Sequence, residues 1–405
     1  MKHAVATFTL TAALLAAPVG MMPLAHAQDA QQAEQSTPAA RAQAMIDRGL
    51  AFLKSQQLED GGWAPERHPP AITALVLRVF VQDPNYDHNT DFIARGYQKL
   101  LSHQLEDGGI YADSLANYNT AVAVSALAAA KNPAFDEALQ KAVAYLKGLQ
   151  WGVGAKQGPK GESVVSEDHP WYGGWGYGGQ SRGSGRPDLS NTQMALEALQ
   201  EAGVPQDDPA FRAAMLFATR LQNHSETNDQ PWAGNDGGFV YSPSDDGSYE
   251  SQAGEYTSPD GRRMLRSYGS MTYAGLKSFI YAGLDKQDPR VQAAWDWITS
   301  NWTLDENPGM RQNRPDYAEW GLYYYYMTMA RALNAYDEPV ITTPTGEKID
   351  WRIALIDRLQ TLQKEDGSWS GERKWMEDNP VIVTSYIVGA LQEVVEDLQQ
   401  HPPQP

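Results

Sequence analysis

Asp188 stands at the head of the stretch "RPDLSNTQMALEAL", two residues after Arg186 and just before a run of alanine and leucine. A carboxyl placed there can accept from the first-turn N–H groups of a helix. Withheld from water, it can instead keep a proton for a weakly basic ligand. Asp113 occupies the same kind of position ahead of "NTAVAVSALAAA", so these two are the candidate catalytic acids. Aromatic residues crowd the same approaches: Tyr118, then Trp171, Tyr172, Trp175 and Tyr177, then Tyr256 and Tyr268, then Trp320 and Tyr323. Ring faces attract cations and suit a polyprenyl chain. They also stack on sugars, for which Asp113, Asp188, Glu255 and Glu319 offer acids and bases; in the plainest reading they only plug a hole. Arg182, Arg186, Arg263 and Arg266 bring four cations to the same region, suited to a diphosphate or an acidic glycan or to pairing with nearby carboxylates. The rings, together with Arg182, Arg186 and Arg266, form the candidate ligand cavity.

A recurring unit must position these residues. Each copy is an amphipathic helix ending near a glutamine, a glycine-rich turn carrying an aromatic, and a second helix rich in alanine and leucine. The turns read "QLEDGGWAPE", "QLEDGGIYAD", "WYGGWGYGG", "GNDGGFVYS" and "KEDGSWSGE". Asp60 and Asp107 are 47 positions apart, and the 130 from Asp236 to Asp366 leave room for a degenerate unit around "RPDYAEWGLYYYY". Periods of this length indicate stacked units that cannot bury their apolar faces alone. The second helices are apolar around most of their circumference and belong inside, whereas the first helices keep a charged face and belong outside. Six outer and six inner helices alternating around a ring make an all-α fold, an α/α toroid, as one domain over residues 41–396. Glycine pairs at Gly61–Gly62, Gly108–Gly109 and Gly237–Gly238 permit the tight exit from each outer helix, and Gln57, Gln104 and Gln363 can bond backbone groups left unpaired there. Inner helices of a toroid begin near one mouth, so the residues just before them converge on the centre. The long inserts 152–185 and 242–266 both lead into inner helices, where connections of that length are usually functional or mobile.

The chain has 405 residues, a formal net charge of −18, no cysteine and 42% hydrophobic residues, enough for a sizeable core. Residues 1–27 read as an export signal: Lys2 and His3, an apolar run, then "AHA" before Gln28, with cleavage expected near Ala27 and a periplasmic or secreted destination. The apolar run is shorter than the ~20 residues of a spanning helix, and no transmembrane segment is expected in the mature chain. Residues 28–40 form a flexible lead-in and 397–405 a flexible tail. Acidity disfavours nucleic acid as a partner. Absence of cysteine removes disulfides, thiolate nucleophiles and every sulfur-ligated zinc site, and the histidines show no i, i+4 ligand pair. Neither a metal nor another cofactor is expected.

The repeated Gln, Asp-Gly-Gly and Trp or Phe turns, each followed by an alanine-rich helix, resemble the prenyltransferase and squalene-oxidase repeat of the terpenoid cyclase and protein prenyltransferase superfamily, through nearly all of residues 41–395. In squalene-hopene-type cyclases an Asp-x-Asp-Asp-Thr-Ala motif opens an inner helix, and its middle Asp protonates an alkene. Matched to "PDLSNTQ", the resemblance puts Asp188 at the first Asp, Ser190 at the donor, Asn191 at the third acid and Thr192 at the threonine. A serine hydroxyl is far too weak an acid for that step. The zinc site of the protein prenyltransferases is missing as well, since "RSYGSMTYAG" offers Gly269 and Ser270 where ligands are wanted. The expectation is an exported toroid that binds an apolar, isoprenoid-like ligand in a central cavity without the donor or the zinc. Its alternatives are a cyclase-like isomerase or transferase with a relocated acid, and a carbohydrate-active toroid. Capping by Ser190 or Asn191, with Asp188 favoured at the positive helix end, is the structural reading of the stretch.

Overall fold

A computed structural model describes residues 37–65, 69–153, 165–178, 185–243 and 248–403. Residues from Pro38 onward form one compact unit, and the export signal expected at 1–27 lies outside the described residues. Twelve α-helices alternate outer and inner among those residues. The outer set is α1 (Pro38–Ser55), α3 (Asp91–Leu101), α5 (Asp136–Leu149), α7 (Pro209–Thr219), α9 (Pro289–Ser300) and α11 (Trp351–Leu362). The inner set is α2 (Ala71–Gln82), α4 (Ala116–Ala129), α6 (Leu189–Glu201), α8 (Gly269–Tyr281), α10 (Leu322–Tyr336) and α12 (Pro380–Gln400). Each inner helix packs on the next, and α12 returns to α2, which closes the ring. Inner helices are buried along almost their whole length, as α4 and α8 illustrate, because both neighbours and an outer helix cover their sides. Among the described residues β structure amounts to three two-stranded antiparallel pairs. Two of them, Ser242–Pro243 with Tyr249–Glu250 and Glu255–Thr257 with Arg263–Leu265, fold the insert before α8.

The repeat turn is a device for stitching outer helices together. Gln57 Nε2 donates to Gly61 O at 2.8 Å and to Phe92 O of α3 at 2.7 Å. Gln104 reaches Ala138 of α5, Gln150 reaches Ala210 of α7, Gln222 reaches Arg290 of α9, and Gln363 reaches Met45 of α1, joining the last outer helix to the first. The glycine of each turn takes positive φ, as at Gly237 (φ 83); a Cβ there would lie 2.1 Å from Ala293 O, so no other residue fits without displacing backbone.

A threonine within the first five residues of the inner helix completes the unit. The hydroxyls of Thr73, Thr120, Thr192, Thr272 and Thr384 each accept the N–H of the turn residue Trp63, Ile110, Trp175, Phe239 or Trp369. Trp63, Trp175 and Trp369 then donate their indole N–H to carbonyls of the preceding outer helix. The unit between α9 and α10 lacks this set. There Tyr325 and Tyr326 donate to the carbonyls of Thr303 and Leu304 instead, so tyrosine hydroxyls take over the anchoring.

Candidate functional site

The starts of all six inner helices converge on a cavity of about 280 Å³, at the small end of the ~300–1,000 Å³ typical of ligand pockets. Its wall carries Ala71, Ile72 and Leu75 of α2, Tyr118 of α4, Ser190 of α6, Ser270 and Met271 of α8, Tyr324 of α10, and Ile382 and Tyr386 of α12. The approach loops add Tyr177, Tyr241, Tyr268, Trp375, Met376 and Glu377. Six tyrosines thus face one space, and the hydroxyls of five of them are engaged within the wall. Tyr118 and Tyr386 pair at 3.1 Å. The Tyr324 hydroxyl meets Ser190 Oγ at 2.8 Å and accepts from Gln193 at 3.1 Å, and Tyr241 bonds Asp188 and Tyr177. Burial raises the pKa of Tyr118, Tyr268, Tyr324 and Tyr386, so these phenols stay neutral and present ring faces.

Glu377 is the one carboxyl lining this space among the described residues, and no Lys or Arg lines it there. Its side chain caps α10 from another unit, because Gly321 at the start of that helix offers no side chain. Oε1 accepts from Tyr324 N at 2.8 Å, while Oε2 is buried without a hydrogen-bond partner. Burial pushes the carboxyl up to about 7, against the backbone N–H groups of Tyr324, Tyr323 and Leu322, which favour the anion. Just upstream, Trp375 (φ 55) and Met376 (φ 65) are consecutive non-glycine residues in the left-handed region, a strain of order 1–3 kcal/mol each that is commonly kept at functional sites. They are 46% and 41% exposed and form the lip of the cavity. Trp320 meets the Trp375 ring edge-on at 6.1 Å, and Lys374 lies 4.5 Å above the Trp320 ring.

Of the residues singled out in the sequence, Tyr118, Tyr177 and Tyr268 line the cavity. Asp188 lies 2% exposed behind the wall and is itself the N-cap of α6, accepting from Asn191 N and Asn191 Nδ2 at 2.8 Å each. The capping oxygen therefore comes from Asp188 and not from Ser190 or Asn191. Burial pushes its carboxyl up to about 6, with the Asn191 bonds pulling the other way. Asp113 is exposed on the loop before α4 and does not line the cavity. Trp175 is spent on the repeat turn, a role its "GGW" context matches to Trp63.

Trp171 packs edge-on against Trp151 at 4.9 Å, and Tyr172 donates to Glu167. Trp320 stacks on Tyr317 at 3.5 Å, and Tyr323 packs on Tyr326 one helical step away from the cavity face that Tyr324 occupies. Arg186 pairs with Glu250 at 3.0 Å and Arg263 with Glu255 at 2.6 Å. Arg266 donates to Glu255 O and lies 5.2 Å over the exposed Tyr256 ring, while Arg182 lies outside the described residues. The described arginines are thus engaged with carboxylates, carbonyls and a ring. Among the described residues no three His, Asp or Glu side chains come together as a metal site.

The other end of the ring is lined by charge. Glu197 of α6 is 1% exposed and contacts Arg78 of α2 at 2.9 Å, Arg331 of α10 at 2.9 Å and Lys277 of α8. Burial alone would raise its pKa, but three adjacent cations hold it well below the ordinary carboxylate range. Glu201 and Glu393 add counter-charges at the rim. The ring therefore carries an ionic cluster at the end opposite the apolar cavity, where Arg78, Glu197, Glu201, Arg331 and Glu393 line a second, polar pocket. Sequence reasoning did not reach this cluster, nor Ile72, Leu75, Tyr241, Met271, Tyr324, Glu377 and Tyr386. The available signal was single charges inside otherwise apolar inner-helix runs, and an acid two residues before the Asn379–Pro380 start of the last one.

No family model and no curated protein matches the chain. Among solved structures, the apo type II terpene cyclase MstE from Scytonema is similar at 14% identity with a TM-score of 0.50, covering 89% of this chain and all of that one. A heparin-specific unsaturated glucuronyl hydrolase is similar at 14% identity with a TM-score of 0.53, covering 88% of this chain and 97% of that one. Likeness at this identity concerns architecture: the chain is an α/α toroid, in the fold shared by a type II terpene cyclase and a glucuronyl hydrolase.

Proposed function

We propose that this chain binds an apolar, isoprenoid-like ligand, or one end of a longer one, in the cavity at the starts of the inner helices. The observation that carries the reading is the lining itself. Six tyrosine rings, Trp375 and the aliphatic side chains of Ile72, Leu75, Met271 and Ile382 surround the space, with no Lys or Arg among the described lining residues. An acidic sugar would have to shed its hydration against partners that this wall does not offer, whereas apolar surface gains about 25 cal/mol per Å² on entering. That contrast sets the terpene cyclase above the glucuronyl hydrolase as a guide to the ligand. Residues 1–27 support export of the chain, and an N-terminus near Gln28 in protein isolated from its own host is the expected result. Native mass spectrometry with lipid extraction of that protein tests the ligand. A co-purified isoprenoid that is lost in Met271→Trp, which fills the cavity, supports the reading. An empty wild-type cavity together with retention on a glycan array would refute it.

A further inference from the structure

We infer that the apolar molecule taken up by this cavity carries an alcohol group, and that Ser190, with Tyr324 and Tyr268 beside it, is the seat of that group. The inference rests on the apolar-ligand reading and narrows it, from a hydrocarbon to a hydroxylated one. It gives Ser190 the part of a neutral hydrogen-bonding partner and not that of an acid.

The wall of the cavity is uneven. The adjacent helices α12 and α2 present Ile382, Ile72 and Leu75, whereas α6, α10 and the N-cap of the intervening α8 present Ser190, Tyr324 and Tyr268. Ser190 and Tyr324 are partly open and not buried. Tyr268 is 2% exposed; burial and the nearby Tyr324, Asp188 and Tyr177 act on its phenol, with no hydrogen bond among those influences. A buried hydroxyl without a partner is costly, and such groups persist where a ligand completes them. The ligand's polar group must also be neutral. No Lys or Arg lines the cavity among the described residues, so a carboxylate or phosphate would give up its hydration and find no cation to meet it.

Counting protons shows which neutral group fits. The Tyr324 hydroxyl accepts from Gln193 Nε2 at 3.1 Å and meets Ser190 Oγ at 2.8 Å, and the Thr328 hydroxyl is also within bonding reach of it. If the Tyr324 proton goes to Ser190, the serine proton is left for the cavity. If it goes to Thr328, whose own proton is on the Tyr324 carbonyl, Ser190 donates to Tyr324 and offers the cavity its oxygen. A ligand hydroxyl suits both arrangements, because it can give one bond and take another. An ether or a ketone suits only the first.

The probes are farnesol and farnesene, which share a carbon skeleton and differ in the hydroxyl, each titrated into the full chain and followed by quenching of tryptophan fluorescence. The quantity read is the ratio of the farnesol affinity to the farnesene affinity, in which differences in hydrophobicity and solubility cancel between variants. Ser190→Ala is expected to lower that ratio about tenfold, the worth of one hydrogen bond between neutral groups (~1.4 kcal/mol), while farnesene binds within about twofold of wild type. Tyr268→Phe should lower the ratio at least about threefold and leave the urea midpoint unchanged or raised, since it removes a hydroxyl that the unliganded chain leaves unmatched. A hydroxyl with a purely structural role would lower the midpoint instead. A ratio that moves less than about twofold in either variant overturns the alcohol seat and leaves the cavity reading intact, as does a wild type that binds farnesene and not farnesol. Failure of wild type to bind either probe overturns both.

Discussion

Glu377→Gln tests the buried acid in the cavity wall without any ligand. The Glu377 carboxyl is raised from 4.5 to about 7 by burial in the folded chain. An acid whose folded pKa lies above its unfolded pKa binds more protons in the native state across that window, so it makes stability fall as pH rises from about 4.5 through about 7. The full displacement corresponds to ~3.4 kcal/mol at ~1.36 kcal/mol per unit, of which about 2.5 kcal/mol falls between pH 5 and pH 9. Glutamine does not titrate and still accepts from Tyr324 N. Urea unfolding of both proteins at pH 5 and pH 9 isolates this group, because every other titration is common to the pair. The variant should gain about 2.5 kcal/mol relative to wild type on going from pH 5 to pH 9. If the two stabilities instead move in parallel with pH, the carboxyl is hydrated and ionised in the fold, and the argument for a neutral acid in the cavity wall fails.

Two further perturbations address the wall and the ionic cluster. Glu197→Gln leaves Arg78, Lys277 and Arg331 buried with one counter-charge fewer and should cost about 3–5 kcal/mol in urea unfolding. The double variant with Lys277→Met should recover part of that loss, and a single-variant cost below ~1 kcal/mol would mean that the cluster is hydrated. Asp188→Ala removes the cap of α6 and should cost about 1–2 kcal/mol, whereas Asp188→Asn, which can still accept from Asn191 N, should cost less than half as much; equal losses would show that the negative charge matters more than the capping geometry.

Much of the scaffold is written locally. The turn at Gly61 repeats at Gly108, Gly173, Gly237 and Gly367 with positive φ each time, and any one copy can be recognised from its neighbours in the chain. Trp175 obeys the same grammar. Its place after two glycines matches Trp63, so its burial in the turn is legible from context, and only its residue type points to the cavity. The inner-helix starts were legible as convergent for the same reason, and Tyr118, Tyr177 and Tyr268 do line the space there. The run "LYYYY" was not. At about 100° per residue, four consecutive tyrosines point four ways, and only the closed ring decides that Tyr324 faces the cavity while Tyr325 and Tyr326 anchor a loop.

By itself, the sequence determined the repeating unit, the alternation of outer and inner helices and the end of the ring at which the approach loops gather. Each of these follows from contacts within one period, where turn chemistry and helical periodicity act. The tertiary structure alone decided the chemistry of the centre. Glu377 meets the start of α10 across 53 positions, and Glu197 meets Arg78 across 119. Whether a carboxyl is held neutral, as at Glu377, or firmly ionised, as at Glu197, depends on the charges, N–H groups and apolar surface packed around it. In this fold those neighbours are supplied by other repeats.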